Sequence, residues 1–263
     1  MTDTTLQRQT GHQVLAAAGK RILRPGGRTA TEALFRWAEF QPGDTVLELA
    51  SSFGESAIAL AQRFGVRVVG VEKNPESVAR ARAAVAAAGL SDRVEILEGD
   101  IFRLDQIPGT YDYVLAEAIL SMQSSAGKAQ ILRSVGDRLK PGGRFLSHEL
   151  LARDRADEIH RDLAQAIRSN VTPISEADWR AACAQAGLAV ERSQTGPMGL
   201  LDPRQMLRDE GLLGMLRIAW NLLTRPAIRD RVLTMRRLFR RYQAELGHII
   251  LCARRSTDPE SLL

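Results

Sequence analysis

From about Asp44 the chain settles into a rhythm that few folds can accommodate. A short β-rich run, "TVLELA", is followed by a helical stretch from Glu55 to Phe64. "VRVVGVE" then reads as a buried-type strand, and Pro75 opens a helix that runs to Ala88 and stops at Gly89. Strand "RVEILEGD", a loop, strand "YDYVLAEA", a helix over 126–139, the turn "KPGG" and strand "RFLSHELL" continue the series. Pro in a first helical turn and Gly just past a last turn are ordinary boundaries. Strands alternating with helices of this length imply βαβ units and a mainly parallel sheet. Such a sheet takes its ligand at the carboxyl ends of its strands, near the switch point beside the first one.

The flanks break the rhythm. Residues 1–40 read as a helical cap before the first strand. Residues 154–169 and 175–187 read as amphipathic helices, the second opened by Ser175 with Asp178 three residues on. "AVERSQ" is a strand and "HIILCARR" the last one. Between them lies a helical insertion, 196–246, rich in Met, Leu and Arg. A long insertion in a compact α/β domain is commonly a lid or an interaction element, and a substrate lid is expected here. The core then comprises 41–195 and 247–255. The turn "RPGGR" at 24–28 reads as a surface turn; the alternative is that it folds over the ligand with Arg24 or Arg28 facing an anionic group. Met198, Met206 and Met215 read as helix core, or as the lining of an adaptable apolar pocket.

The loop "LELASSFGES" carries the chemistry. Glu48 ends the first strand, and Gly54 and Glu55 open the helix. A pyrophosphate at this helix N-terminus would sit between two carboxylates with no basic residue in the loop. A ligand bearing positive charge suits the same acids, although Glu55 serves equally as an acid complementing the helix dipole. Ala50, Ser51, Ser52 and Gly54 are small enough for close approach of backbone to ligand. Glu72 ends the second strand, 24 residues after Glu48, where an acid accepts hydrogen bonds from ribose hydroxyls. Asp100 ends the third, placed to meet an adenine amino group, with Ile101 and Phe102 beside it to pack on the ring. Three acids on three successive strand ends are far more specific than any one.

At these residues the chain resembles the class I S-adenosylmethionine-dependent methyltransferases. The family's acid-x-Gly-x-Gly-x-Gly motif corresponds to Glu48, Ala50, Ser52 and Gly54, with Ala and Ser replacing two glycines. A residue needing positive φ at Ala50 would be strained by roughly 1–2 kcal/mol. The ribose acid corresponds to Glu72 and the adenine acid to Asp100. "YDYVLAEAILSM" and "LKPGGRF" match later motifs. The resemblance implies a doubly wound, seven-stranded, mainly parallel Rossmann-like α/β sheet with its last strand antiparallel. It implies S-adenosylmethionine as cofactor, contacted by Glu48, Ala50, Ser52, Gly54, Glu72, Lys73, Asp100, Ile101 and Glu117. Methyl transfer needs no protein nucleophile, and a base only where the acceptor carries a proton. Glu117, after the fourth strand, and His148 and Glu149, at the end of the fifth, are the catalytic candidates; strand alternation points one of the last pair inward. His12, His160 and His248 read as structural or solvent-facing.

The expected acceptor is a small molecule reacting through N, O or S. RNA methylation and non-catalytic cofactor binding are the alternatives. The net charge of +5 and pI near 9.7 invite RNA. However, only Lys20, Lys73, Lys128 and Lys140 of 36 basic residues are lysine, and the arginines are interleaved with acids along the whole chain. The run "RRLFRRY" therefore reads as a solvated face, and nucleic acid is not the expected partner. Cys183 and Cys252 have no ligand spacing and read as core residues, so no metal is expected. The polar N-terminus and the interruption of "GLLGMLRIAWNLL" by Arg217 argue against a signal peptide, a membrane span and a membrane partner. A cytoplasmic protein, compatible with a homodimer, is the expectation.

Overall fold

A computed structural model describes residues 9–256. The first part of the expected N-terminal helical region, 1–8, lies outside the described residues.

Each expected strand forms, and the sheet has seven: β1 (Thr45–Leu49), β2 (Arg67–Glu72), β3 (Val94–Glu98), β4 (Tyr111–Glu117), β5 (Leu139–Ala152), β6 (Leu188–Pro197) and β7 (Leu246–Arg255). Their order is β3-β2-β1-β4-β5-β7-β6. All neighbours pair parallel except β7, which runs antiparallel to β5 and β6. The order reverses between β1 and β4, so the crevice above those two strands is where a ligand belongs. "KPGG" does not precede β5 as a free turn. It lies within that strand, where the pairing with β4 shifts register between Tyr111 and Tyr113.

The helices are set by their ends. α1 (Gly11–Ala17) and α2 (Gly27–Ala38) precede β1, separated by a non-helical stretch; α3 (Glu55–Phe64) follows β1. α4 (Pro75–Ala87) starts at Asn74, whose side chain accepts from the Glu76 and Ser77 amides, with Pro75 in the first turn. α5 (Ser125–Arg138) is capped by Ser124 and α7 (Glu176–Gln185) by Ser175. α6 (Ala156–Ile167) lies between β5 and α7. The 196–246 region holds α8 (Pro203–Thr224), interrupted at Gly211, and α9 (Pro226–Arg241).

Three apolar clusters follow. One packs α2, α3 and α4 against one sheet face, around Leu34, Phe35, Leu60 and Val78. A second packs α5 and α7 on the other face, around Ile131, Leu132, Trp179 and Cys183. The third does not belong to the sheet layers. It joins Val14 and Leu15 of α1, Leu163 of α6, and Met235 and Phe239 of α9 over Leu150 and Leu246. Helix faces that cannot reach the sheet bury themselves against one another, and they do so above the strand ends. Both cysteines are buried and free, and burial pushes their thiols up to about 12 for Cys183 and about 11 for Cys252.

Candidate functional site

Above β1 and β4 the third cluster and the strand ends enclose a cavity of about 580 Å³. Its two poles differ. The strand-end pole is lined by Glu48, Ala50, Ser52, Glu72 and Glu117. The cap pole is lined by Leu15, Leu163, Ile167, Met198, Met235 and Phe239.

Glu48 is buried, and its Oε2 has no hydrogen-bond partner. Burial, reinforced by the neighbouring Glu117 carboxylate, pushes its carboxyl up to about 8. An orphaned carboxyl oxygen at a cavity wall is a site for a cationic or donor group. Glu72 holds the loop in shape: its Oε2 accepts from the Ser52 amide at 2.9 Å and its Oε1 from the Asn74 amide at 2.8 Å. Both residues standing for motif glycines have positive φ, Ala50 at 55° and Ser52 at 50°, as does Gly54 at 78°. The sequence expectation of strain at Ala50 thus falls on a residue in the left-handed region.

Glu117 also lines the cavity, its side chain 6% exposed. Its Oε1 accepts from Thr31 Oγ1 at 2.5 Å and its Oε2 from Ser56 Oγ at 2.9 Å, and Oε2 forms an ion pair with Arg24 Nε at 3.1 Å. Burial alone would raise its pKa. Arg24, His148 and Thr31 outweigh burial and hold the carboxyl at about 2. His148 pairs in register with Glu117 across β4 and β5, and is fully buried behind it. The Gly26 amide donates to His148 Nε2 at 3.0 Å, so Nε2 is the acceptor nitrogen and the proton sits on Nδ1. That proton faces Thr31 Oγ1 at 3.3 Å. Burial lowers the His148 pKa and keeps the ring neutral.

This geometry bears on two candidates. His148 is expected to orient or deprotonate an acceptor, yet its Nε2 is taken by a backbone amide and it does not line the cavity. Glu149, expected at the same crevice, projects to the opposite side of β5. There its carboxylate accepts from the Ile119, Leu120 and Ser121 amides and from Ser121 Oγ, fixing the short helix at Leu120–Met122. Strand alternation separates these neighbours, as the sequence requires.

The turn at 24–28 corrects an expectation. It is no surface turn. Pro25, Gly26 and Gly27 are buried, and a Cβ at Gly26 would fall 2.6 Å from the His248 ring. The Arg28 amide donates to Asp209 Oδ1 at 2.9 Å, while the Arg28 side chain is exposed. Arg24 lines the cavity. His12, read as structural or solvent-facing, lines it too, close enough to Glu72 to feel its charge, although burial lowers its pKa overall. His160 and His248 instead contact the backbone carbonyls of Val171 and Pro197.

Gly54, Lys73, Asp100 and Ile101 do not line this cavity. Asp100 is bonded to Lys73 Nζ at 2.8 Å and to the Phe102 amide at 3.0 Å, and Lys73 lowers its pKa. Thr31 and Ser56 go unnamed in the sequence reading, Arg24 enters it only as the alternative to a surface turn and His12 only as structural or solvent-facing; the four share no motif. A buried arginine is recognisable only once its carboxylate partner is located. Among the described residues no cluster of His, Cys, Asp and Glu is arranged to hold a metal, and no helix is long and apolar enough to cross a membrane. In the run 236–242, Arg241 pairs with Glu158 and Asp162.

Comparison with known proteins gives three kinds of relative. A family model described as a methyltransferase domain matches residues 46–143. An uncharacterised protein of Haemophilus influenzae is 31% identical over 248 residues, 94% of this chain and 98% of that protein. A sterol 24-C-methyltransferase of Saccharomyces cerevisiae is 32% identical over 134 residues. That stretch is 49% of this chain and only 34% of the yeast protein. Among solved structures, a Geobacter sulfurreducens methyltransferase in complex with S-adenosyl-L-homocysteine superposes with a TM-score of 0.68 at 18% identity, covering 92% of this chain and 97% of that one.

Proposed function

We propose that this chain, which belongs to the class I S-adenosylmethionine-dependent methyltransferase family, methylates an N, O or S atom of an apolar small molecule. The observation that carries this reading is the split polarity of one cavity, with acids at the strand ends and leucine, isoleucine, methionine and phenylalanine at the cap.

S-adenosylmethionine supplies a methyl group activated by a sulfonium, together with an ammonium and a ribose diol. The strand-end pole suits those groups. Glu48 brings an unpartnered, buried carboxyl oxygen, which a cation would draw into its ionised form. Glu72 has both oxygens already oriented by backbone amides, with lone pairs left for the ribose hydroxyls. Ala50 and Ser52 bring the backbone close. Lys73, Asp100, Ile101 and Gly54 remain proposed contacts on the family resemblance alone.

Glu117 is a poor general base. It is ionised at neutral pH, but its oxygens are filled by Thr31, Ser56 and Arg24, and its pKa is about 2. Its part is to hold Arg24 at the reacting end of the cavity, with Ser56 behind, and to balance positive charge there. With His148 behind it, the residues at hand act by alignment and by exclusion of water. The acceptor then attacks as a neutral lone pair or as an anion formed before binding. An apolar acceptor class agrees with the cap lining, and the yeast relative is named for methylation of a sterol.

Calorimetry with S-adenosylhomocysteine tests the cofactor pole. Glu72→Ala should weaken binding by about 1–3 kcal/mol through the lost ribose hydrogen bonds. Unchanged affinity refutes the assigned pole, and a wild type that fails to bind refutes the reading. A cofactor-turnover assay against apolar phenols, amines and thiols, beside their polar analogues, tests the acceptor. Preference for the polar analogues would sink the apolar assignment.

A further inference from the structure

Beyond Gly211, α8 turns an apolar face to solvent. Leu212, Leu213, Leu216, Trp220 and Leu223 are between 59% and 82% exposed. At 3.6 residues per turn these five positions fall within about 100° of arc, a single stripe. The opposite side of the helix is committed. Gly214 and Ile218 are buried. Arg217, Asn221 and Arg225 donate to the carbonyls of Gly19, Ala18 and Ala17, at the end of α1 and just beyond it. Since α1 lines the cavity, the stripe is the outer surface of the cavity's own cap. An unbroken row of large apolar side chains on such a surface marks a contact site.

Charge selects the occupant. From 211 to 229 the chain contains no Asp or Glu and carries Arg217, Arg225 and Arg229, all exposed; Arg217 and Arg225 each also donate to a carbonyl at or just beyond the end of α1, and Arg229 pairs with Asp230, just beyond the stretch, at 3.4 Å. A second copy pressed against the stripe would bring its own arginines and a further formal charge of +5 to the same place. An anionic lipid surface would receive them. Leucines flanking a tryptophan, edged by arginines and without acids, form the pattern of a helix lying in the headgroup region. We propose that the Leu212–Leu223 face of α8 seats the protein on anionic bilayers, cap side down. The expectation of no membrane partner rested on the length needed to span, which a helix lying flat does not require. The contact stands apart from the methyl-transfer reading; only the supply of an apolar acceptor from the bilayer would join the two.

Co-sedimentation of the full chain with phosphatidylcholine vesicles, with and without phosphatidylglycerol, is the test. Binding should require phosphatidylglycerol and weaken as salt rises. It should also shift tryptophan emission to the blue. Trp220 is the exposed tryptophan, whereas Trp179 is buried and Trp37 half-buried, so Trp220→Phe should remove the shift. The double variant Leu213→Gln/Leu216→Gln should lose vesicle affinity about tenfold or more, while its melting temperature and S-adenosylhomocysteine affinity stay at wild-type values. Wild type that does not sediment with anionic vesicles overturns the proposal. So does a double variant that binds them as well as wild type. Sedimentation velocity showing a dimer that the double variant abolishes would assign the face to a second copy and equally overturn it. Failure of wild type to bind S-adenosylhomocysteine would count against the methyltransferase site alone.

Discussion

The two poles of the cavity are built by different rules. The strand-end pole consists of single residues at the tips of β1, β2 and β4, each a few bonds from a regular element. The cap pole consists of side chains from α1, α6, α9 and the segment after β6, all far apart in the chain. In the first, the two buried carboxyls differ: Glu48 is held at a cost, without a full set of partners, whereas Glu117 is kept ionised by Arg24, His148 and Thr31. In the second, apolar groups are stabilised by the same burial that shapes the pocket. Substitutions should therefore have opposite signatures at the two poles. The polar pole should exchange stability against binding, and the cap should change acceptor preference with little effect on the cofactor.

The largest effect is expected where a buried charge loses its partner. Arg24→Ala leaves the Glu117 carboxylate facing only Thr31, Ser56 and a neutral imidazole. Breaking a buried pair costs about 3–5 kcal/mol, measurable by denaturant unfolding at pH 7. The sign with pH follows from the depressed Glu117 pKa. In wild type the stabilisation is present above the ordinary carboxylate range and is lost as pH falls toward 2. The variant has less of it to lose. Its deficit should shrink as pH falls below about 4.5. A deficit independent of pH would mean that the pair with Glu117 is not its source.

Glu48→Gln should act in the opposite direction. The folded protein holds the carboxyl near 8, above its unfolded value, so it costs nothing in acid and progressively destabilises the fold from about pH 4.5 to 8. Replacement by a neutral amide should stabilise the protein by up to about 3 kcal/mol at pH 7 and hardly at all at pH 4. Affinity for S-adenosylmethionine should fall at the same time. Calorimetry in buffers of different ionisation enthalpy should also show a proton released when wild type binds the cation at pH 7. A variant that is no more stable at pH 7 than at pH 4, relative to wild type, would remove the claim that this pole stores a cost.

Met198→Ala probes the cap. It should raise the KM for an apolar acceptor about tenfold and leave S-adenosylhomocysteine affinity unchanged. An equal loss in both would erase the distinction between the poles.

The same division decides what the sequence discloses. Strand tips are legible because strand, acid and helix start are local: Glu48, Glu72 and Glu117 are identified from residues within a few positions. Seven strands, with the last antiparallel, follow from hydrophobic rhythm and the family resemblance. Arg24 is not legible. Its partner Glu117 is far along the chain, and nothing near "RPGGR" tells a buried turn from an exposed one until Asp209 and the two histidines are packed against it. His148 is half legible: strand parity puts one of His148 and Glu149 inward, but only the register with β4 says which, and only tertiary contact puts the Gly26 amide on Nε2. "KPGG" reads as a turn because Pro and Gly disfavour strands. It is taken into β5 where the register with β4 is already irregular.

The smallest effect tests whether the loop's missing glycines matter. Ala50 and Ser52 sit at φ 55° and 50°, where a Cβ crowds the following carbonyl. The amide of Ser52 is held by Glu72 Oε2, so the conformation is imposed by the acid that is to bind ribose rather than by glycine's freedom. Ala50→Gly relieves strain of about 1–2 kcal/mol but adds chain entropy to the unfolded state worth about 0.5–1 kcal/mol. The net should be a stabilisation of at most about 1.5 kcal/mol, with cofactor affinity unchanged. Had the loop been a glycine cradle that lost function with its glycines, the same substitution would tighten cofactor binding instead. Melting and S-adenosylhomocysteine titration of this one variant separate a loop held by Glu72 from one waiting for its glycines.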